Sequence, residues 1–333
     1  MLNTFPASSR GLRQVYLVLV LGLALLLAFS AGVAFSRSTS ARAADTTPAS
    51  VIGPMLQNGE WEVIDLSVAT AENMPAWWPY HPPFFIRPIN FFVTEAGPNG
   101  TNGWFTYRGP YAAQGYEIDE HTGTQIDCPP HFIPPPGVNA PFAADVGTMT
   151  CDKIPLSASM GPAVVVDVRS LLPAAEKGKS AHITRAWLEN WEATHGRFQP
   201  GEVALFYGGY SDAYYKPFPE GDRLAWQPVV EKSQPGWQAP DPDAMDLMHE
   251  RGVIHVGTDA PSMGWVEGGQ PTHVAGLKYG MTWTEFNTNL GSLPERGAFY
   301  VMATYKVQDQ QAGIGRAFAF KPKGANGVAS SNQ

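Results

Sequence analysis

Residues His121-Thr122-Gly123-Thr124-Gln125-Ile126-Asp127-Cys128-Pro129-Pro130-His131-Phe132 hold four groups that can bind or move ions within eleven positions. Thr122, Thr124 and Ile126 are β-branched and favour an extended chain. Gly123 and the Pro129-Pro130 pair oppose a helix. The stretch therefore predicts a strand followed by a turn. Alternate residues of a strand share a face, so His121, Gly123, Gln125 and Asp127 point one way, with open space expected at Gly123. An imidazole, an amide and a carboxylate then lie within about 20 Å of extended chain, at roughly 3.3 Å per residue. The prolines turn the chain and bring His131 back toward them. Nitrogen and oxygen donors of this kind suit Zn, Mn or Fe(II) better than a soft ion. The same composition also fits a strand with scattered polar residues facing solvent.

Working outward, short apolar runs mark further strands at 61–67, 104–107, 163–168, 201–207, 253–257, 298–305 and 316–321. Thr184 reads as the cap of a helix passing through Trp187 and Trp191, and residues 243–252 as a second helix. Residues 74–86 carry too many prolines for a helix and form an aromatic loop. Residues 97–103 are a turn cluster. Residues 212–240 read as an inserted surface loop rich in Pro, Tyr and Trp. Strands mixed with helices indicate an α/β or α+β domain over 61–321, with a mature N-terminal tail at 44–60 and a frayed polar tail at 322–333.

The beginning of the chain reads differently. Arg10 and Arg13 precede an apolar run from Val15 to Phe35, and Ala41-Arg42-Ala43 follows. This is the pattern of a secretory signal peptide cleaved near Ala43. An uncleaved anchor is the alternative, since about 20 apolar residues also span a bilayer. Either way the catalytic body is expected in the periplasm or outside the cell, touching membrane only through residues 15–35. A net charge of -8 argues against nucleic acid as a partner, because phosphate binding needs a basic surface. Cys128 and Cys151 are the two cysteines. Export permits a disulfide, but the place of Cys128 inside the ligand stretch favours two free thiols. No G-x-S-x-G elbow, Walker A loop or dinucleotide fingerprint occurs.

Taken together, these blocks resemble the cyclase family, which includes bacterial kynurenine formamidases, isatin hydrolases and a trans-dienelactone hydrolase. His121, Gly123, Thr124, Asp127, Pro129, His131 and Phe132 fall on its H-x-G-T-H-x-D-x-P-x-H-F signature. Gly257-Thr258-Asp259-Ala260-Pro261-Ser262 resembles its G-T/I-D-x-x-S stretch. His273 stands twelve residues before Glu285, as the family's distal metal-binding His and Glu do, and Asn289-Leu290 with Leu293-Pro294 follow its N-L-x-x-L-P stretch. The second signature His is Gln125 here, a neutral and weaker donor.

The resemblance implies a mixed α/β fold with a central barrel-like sheet flanked by helices, assembled as a homo-oligomer. It implies a divalent metal, Zn or Mn, held by His121, Gln125, Asp127, His273 and Glu285, with one ion rather than two because of Gln125. It further implies that metal-activated water attacks the amide or lactone bond of a small molecule, with His131 as general acid/base. A metal-dependent lyase or dehydratase, and a non-catalytic exported binding protein, are the other readings of the same fold. Trp77, Trp78 and Tyr80 of the aromatic loop, and Tyr207 and Tyr210 beside Gly208-Gly209, are candidates for stacking on a flat substrate. His81 stands between a pocket and a packing role. His255, in an apolar strand, is expected to be a satisfied core residue, and His182, His195 and His249 surface groups.

Overall fold

Val164, Val165 and Val166 are all fully or almost fully buried, and that fact organises the molecule. A strand buried on both faces must lie between two apolar layers. Val164 and Val166 pack toward one core and Ala163 and Val165 toward another. The computed structural model, which describes residue 53 and residues 55–92 and 110–330, shows what the two layers are. One is the interior of a barrel and the other is a set of helices against its outer wall. Residues from Gly59 onward form one compact unit, separate from that ending at Asn58, and it alone is considered below.

The strands are β1 (Trp61–Asp65), β2 (Phe85–Phe91), β3 (Ala112–Glu117), β4 (Gln125–Asp127), β5 (Met160–Asp167), β6 (Ala181–Ile183), β7 (Val203–Tyr207), β8 (Gln238–Pro240), β9 (His255–Thr258), β10 (Thr282–Glu285), β11 (Arg296–Thr304) and β12 (Ala312–Pro322). Seven of them close in the order β4-β10-β9-β7-β5-β11-β12 and back to β4, and β1 adds to the end of β12. Strands β5, β7, β9 and β10 are parallel, while the remaining seams are antiparallel. Closure leaves few free edges, which is how a large sheet avoids pairing with neighbours. A separate ribbon joins β2 to β3, and β6 pairs with β8.

Helices α1 (Arg185–His195), α3 (Pro242–Glu250) and α4 (Gln270–Leu277) cover the outer wall, and α2 (Tyr210–Tyr214) follows β7. Thr184 caps α1 by accepting from the Trp187 N–H, a contact typically worth about 1 kcal/mol. Leu188, Met245, Met248 and Leu277 are fully buried against β5, β7 and β10. Each stabilises the layer by roughly 1.5–3 kcal/mol. Helix α4 lies close to β10 because Gly276 has no side chain. A Cβ there would stand 2.5 Å from the Trp283 ring. This close approach matters because α4 carries His273 and β10 carries Glu285.

Several expectations need correction. The 121–127 strand is only β4, and Gly123 has a φ of +66°, so 121–124 form a turn. There is no open space at Gly123 either, since an added Cβ would meet Thr70 Oγ1 at 2.7 Å. Residues 212–240 are not a surface loop. They hold the end of α2, two short helical turns at Glu220–Arg223 and Trp226–Glu231, and β8. Leu224, Trp237 and Ala239 there are fully buried beside Tyr210 and Phe286. The 322–330 segment is docked, not frayed, for Val328 packs on the barrel core and its N–H donates to the Leu293 carbonyl. Cys128 and Cys151 form a disulfide, with Cα atoms 5.6 Å apart. The 97–103 turn, the 104–107 strand and the apolar run at 15–35 lie outside the described residues. Among the described residues no helix is long and apolar enough to cross a membrane.

Candidate active site

The registered pair β4–β10 builds the centre of the site. Glu285 lies opposite Gln125 and Trp283 opposite Asp127, so all four side chains share the outer face of the barrel while Ile126 fills its core. The 121–124 turn brings in His121 from one side, its N–H donating to Asp119 Oδ1 at 2.6 Å. The helical turn at Pro129–His131 brings in His131 from the other. Helix α4 sets His273 above both carboxylates.

Asp127 is wholly buried and central. Its Oδ1 lies 3.4 Å from His121 Nδ1, and its Oδ2 3.7 Å from His131 Nε2 and 3.6 Å from His273 Nε2. His273 Nε2 is also 3.4 Å from Glu285 Oε1. The ligand atoms thus form two groups, His121–Asp127–His131 and Asp127–His273–Glu285, each within 4.8 Å. Such separations are those of donors sharing one cation through bonds of about 2.0–2.2 Å.

Partners behind the donors hold them in place, as the outer shell of a metal site does. Trp283 Nε1–H donates to Asp127 Oδ2 at 3.1 Å, and the Met263 N–H to Glu285 Oε1 at 2.6 Å. Gln125 Nε2–H donates to Glu285 Oε2 at 2.9 Å. His273 Nδ1 lies 2.8 Å from the Gly269 carbonyl, so it carries a proton there and aims Nε2 at the carboxylates.

Electrostatics couple the imidazoles to the carboxylates. Burial works against the charged form of His121 and His273, yet Asp127 and Glu285 raise them to about 9 and about 10. Burial would raise Asp127, but His131, His121 and His273 hold it well below the carboxylate range. Burial, then repulsion from Asp127, raises Glu285. Asp127 Oδ1 and Gln125 Oε1 are buried and accept no hydrogen bond. Two crowded carboxylates, imidazoles aimed between them and two orphaned oxygens fit a hard or borderline divalent cation.

A cavity of about 260 Å³ opens above these groups. His121, Gln125, His131, His273 and Glu285 line its floor, and Trp78, Phe132, Trp265 and Phe286 its walls. His81 also lines it, with Nδ1 3.1 Å from Asp119 Oδ2. Among the described residues, no lysine or arginine lines it.

All five candidate ligands and His131 thus come together, and Trp78 joins them. The other aromatic candidates do not line this cavity. Trp77 packs by Phe218 and Tyr80 by Trp226. Tyr207 and Tyr210 line a different cavity of about 610 Å³ beside Arg169. Trp283, Trp265 and Phe286 went unrecognised in the sequence. Trp283 had a signal, for it sits two residues before Glu285 on a strand and so shares its face.

The family model named Cyclase, described as "Putative cyclase", matches residues 64–264. The chain belongs to the cyclase family. It is 25% identical over 278 residues to isatin hydrolase of Roseibium aggregatum, across 82% of this chain and 96% of that protein. An isatin hydrolase structure with the product analogue thioisatinate superposes with a TM-score of 0.64 at 22% identity, covering 81% of this chain and 96% of that one. Isatin hydrolase A from Ralstonia solanacearum gives 0.64 at 24% identity, over 83% and 97%. A "predicted metal-dependent hydrolase" from Bacillus stearothermophilus gives 0.51 at 22%, over 78% and 98%. The solved structures establish the cyclase-type fold, as the barrel and its helices had indicated. The hydrolase relative and the His, Asp and Glu donor set together support metal-dependent hydrolysis as the chemistry.

Proposed function

We propose that this cyclase-family enzyme hydrolyses a neutral, flat cyclic amide fused to an aromatic ring, or the matching lactone, outside the cytoplasm. The cavity carries this reading. It has aromatic walls, an Asp127-centred ligand set as its floor and, among the described residues, no lysine or arginine to meet a substrate carboxylate. Among the described residues no lysine or arginine of the wall would pair with the carboxylate of an arylformamide bearing an amino-acid head group, and a charge left unpaired away from water is costly. A neutral bicyclic amide would lose little on entry and gain stacking. The isatin hydrolase relative supports the same class.

When bound, a Zn- or Mn-type cation supplies an acidified water and a polarised carbonyl. The protein does the rest. Trp283, Met263, Gln125 and Gly269 hold the donors. His131 lines the cavity floor, its ring beside those of His121 and His273. A neutral imidazole takes a proton from the attacking water and returns it to the departing nitrogen or oxygen. His131 also stands within ligand reach of Asp127. The His131→Ala variant separates the two roles, since an acid/base residue lowers turnover and spares metal content, while a ligand lowers both. The Cys128–Cys151 disulfide supports an oxidising compartment.

The test is a substrate panel on the Mn(II)- or Zn(II)-loaded protein. It compares isatin, an aryl-fused lactone, formanilide and N-formylkynurenine. Chelator-sensitive opening of the ring substrates, well ahead of the open-chain amides, is expected. Preference for N-formylkynurenine, or turnover unaffected by chelator, would sink the reading.

A further inference from the structure

The ligand donors form two groups, and Gln125 is hydrogen-bonded to one of them. Asp127 belongs to both donor groups, and each group contains an imidazole–carboxylate pair 3.4 Å apart. Gln125 is buried opposite Glu285 in the β4–β10 pairing. Its Nε2–H donates to Glu285 Oε2 at 2.9 Å, while its Oε1 accepts nothing. The amide cannot exchange its ends without cost. A flip would set the amide oxygen against the carboxylate oxygen, two acceptors with no proton between them. The other Glu285 oxygen already takes the Met263 N–H at 2.6 Å. Both oxygens of Glu285 are therefore met by the positive end of an N–H dipole, which answers part of the negative charge that a second cation would answer.

We infer that Gln125 substitutes for a second cation, limits the chain to one ion, and offers its unpartnered Oε1 to the ion that binds. The inference rests on the metal-dependent reading above. It makes the chain mononuclear through one side chain, not through loss of the surrounding donors.

The experiment loads the full mature chain with excess Mn(II), removes unbound metal, and counts Mn per chain by elemental mass spectrometry. Wild type holds one ion and shows the hyperfine EPR pattern of an isolated Mn(II). Gln125→Glu keeps the shape but sets a carboxylate against Glu285, so it takes up two ions whose spectra are exchange-coupled. Gln125→His does the same through an imidazole. Gln125→Leu, which offers no oxygen to the ion, binds its first ion at least about tenfold more weakly by calorimetry. Two ions in wild type overturn the inference alone. One ion in wild type and in both charged or imidazole variants also overturns it, and unchanged affinity in Gln125→Leu removes the part played by Oε1. No ion in wild type overturns the inference together with the hydrolase reading.

Discussion

Strand β10 has two faces, and each meets a buried polar cluster of opposite character. On the barrel's inner face, His255 is fully buried, with Nδ1 2.8 Å from Thr282 Oγ1 and Nε2 2.9 Å from Thr284 Oγ1. The Thr282 hydroxyl gives its single proton to the Ala158 carbonyl. His255 Nδ1–H therefore donates to Thr282, and Nε2 accepts the Thr284 proton. Tyr300 stacks near the ring and donates to Asn287 Oδ1, whose amide donates to the Thr258 carbonyl. Every group there has a partner, no group is charged, and burial lowers His255 to about 3. On the outer face, Glu285 and Asp127 crowd one another, and Asp127 Oδ1 and Gln125 Oε1 lack hydrogen bonds. The inner cluster completes itself with hydroxyls, which both donate and accept. The outer one is made of acceptors that need a guest. Burial and polarity alone do not mark a functional site, whereas unmet acceptors around aimed imidazoles do.

Asp127→Asn breaks the contrast most sharply. It removes the charge shared by both donor groups, so metal uptake is lost and hydrolysis falls at least about a thousandfold. The circular dichroism spectrum stays that of the folded chain. Unchanged turnover would show that the outer cluster is not the catalytic centre. His255→Leu should do the reverse. Metal content is kept, while the Thr284 hydroxyl, left without the His255 acceptor, costs about 1–3 kcal/mol in denaturant unfolding.

A smaller effect appears with pH. The folded-state pKa of His255 lies below its unfolded value of 6.5, so the unfolded chain binds the proton better. Its contribution to stability is fully present above 6.5 and is lost as pH falls toward about 3, at up to about 1.4 kcal/mol per pH unit. Melting curves of the chelator-treated protein across that range should show a shallower acid loss in His255→Leu than in wild type. Parallel curves would mean that His255 is not held neutral by the fold.

What could be read beforehand follows from how local each signal is. The apolar, β-branched run at 163–168 reads as a buried strand, and His255 in its apolar strand as a satisfied core residue. The donors at 121–131, with His273 and Glu285, were recognisable through the family's spacing. Turn geometry was less visible, since the positive φ of Gly123 depends on the 68–76 segment that packs on it. The buried residues of 212–240 are separated by prolines and follow no period. The disulfide depends on two distant segments meeting one loop. Cys128 N–H donates to the Gln311 carbonyl and Cys151 N–H to that of Gln310, so the turn before β12 sets the two cysteines side by side. Trp265 and Phe286 reach the cavity from loops whose course depends on the closed barrel.

The claim that the Asp127 cluster is a cation site is tested most directly by anomalous diffraction from crystals of the Mn(II)-loaded protein. The account predicts a strong peak within bonding distance of Asp127 and absent from Asp127→Asn crystals. A protein that binds Mn(II) but shows its peak elsewhere, with the Asp127 cluster empty, would contradict it.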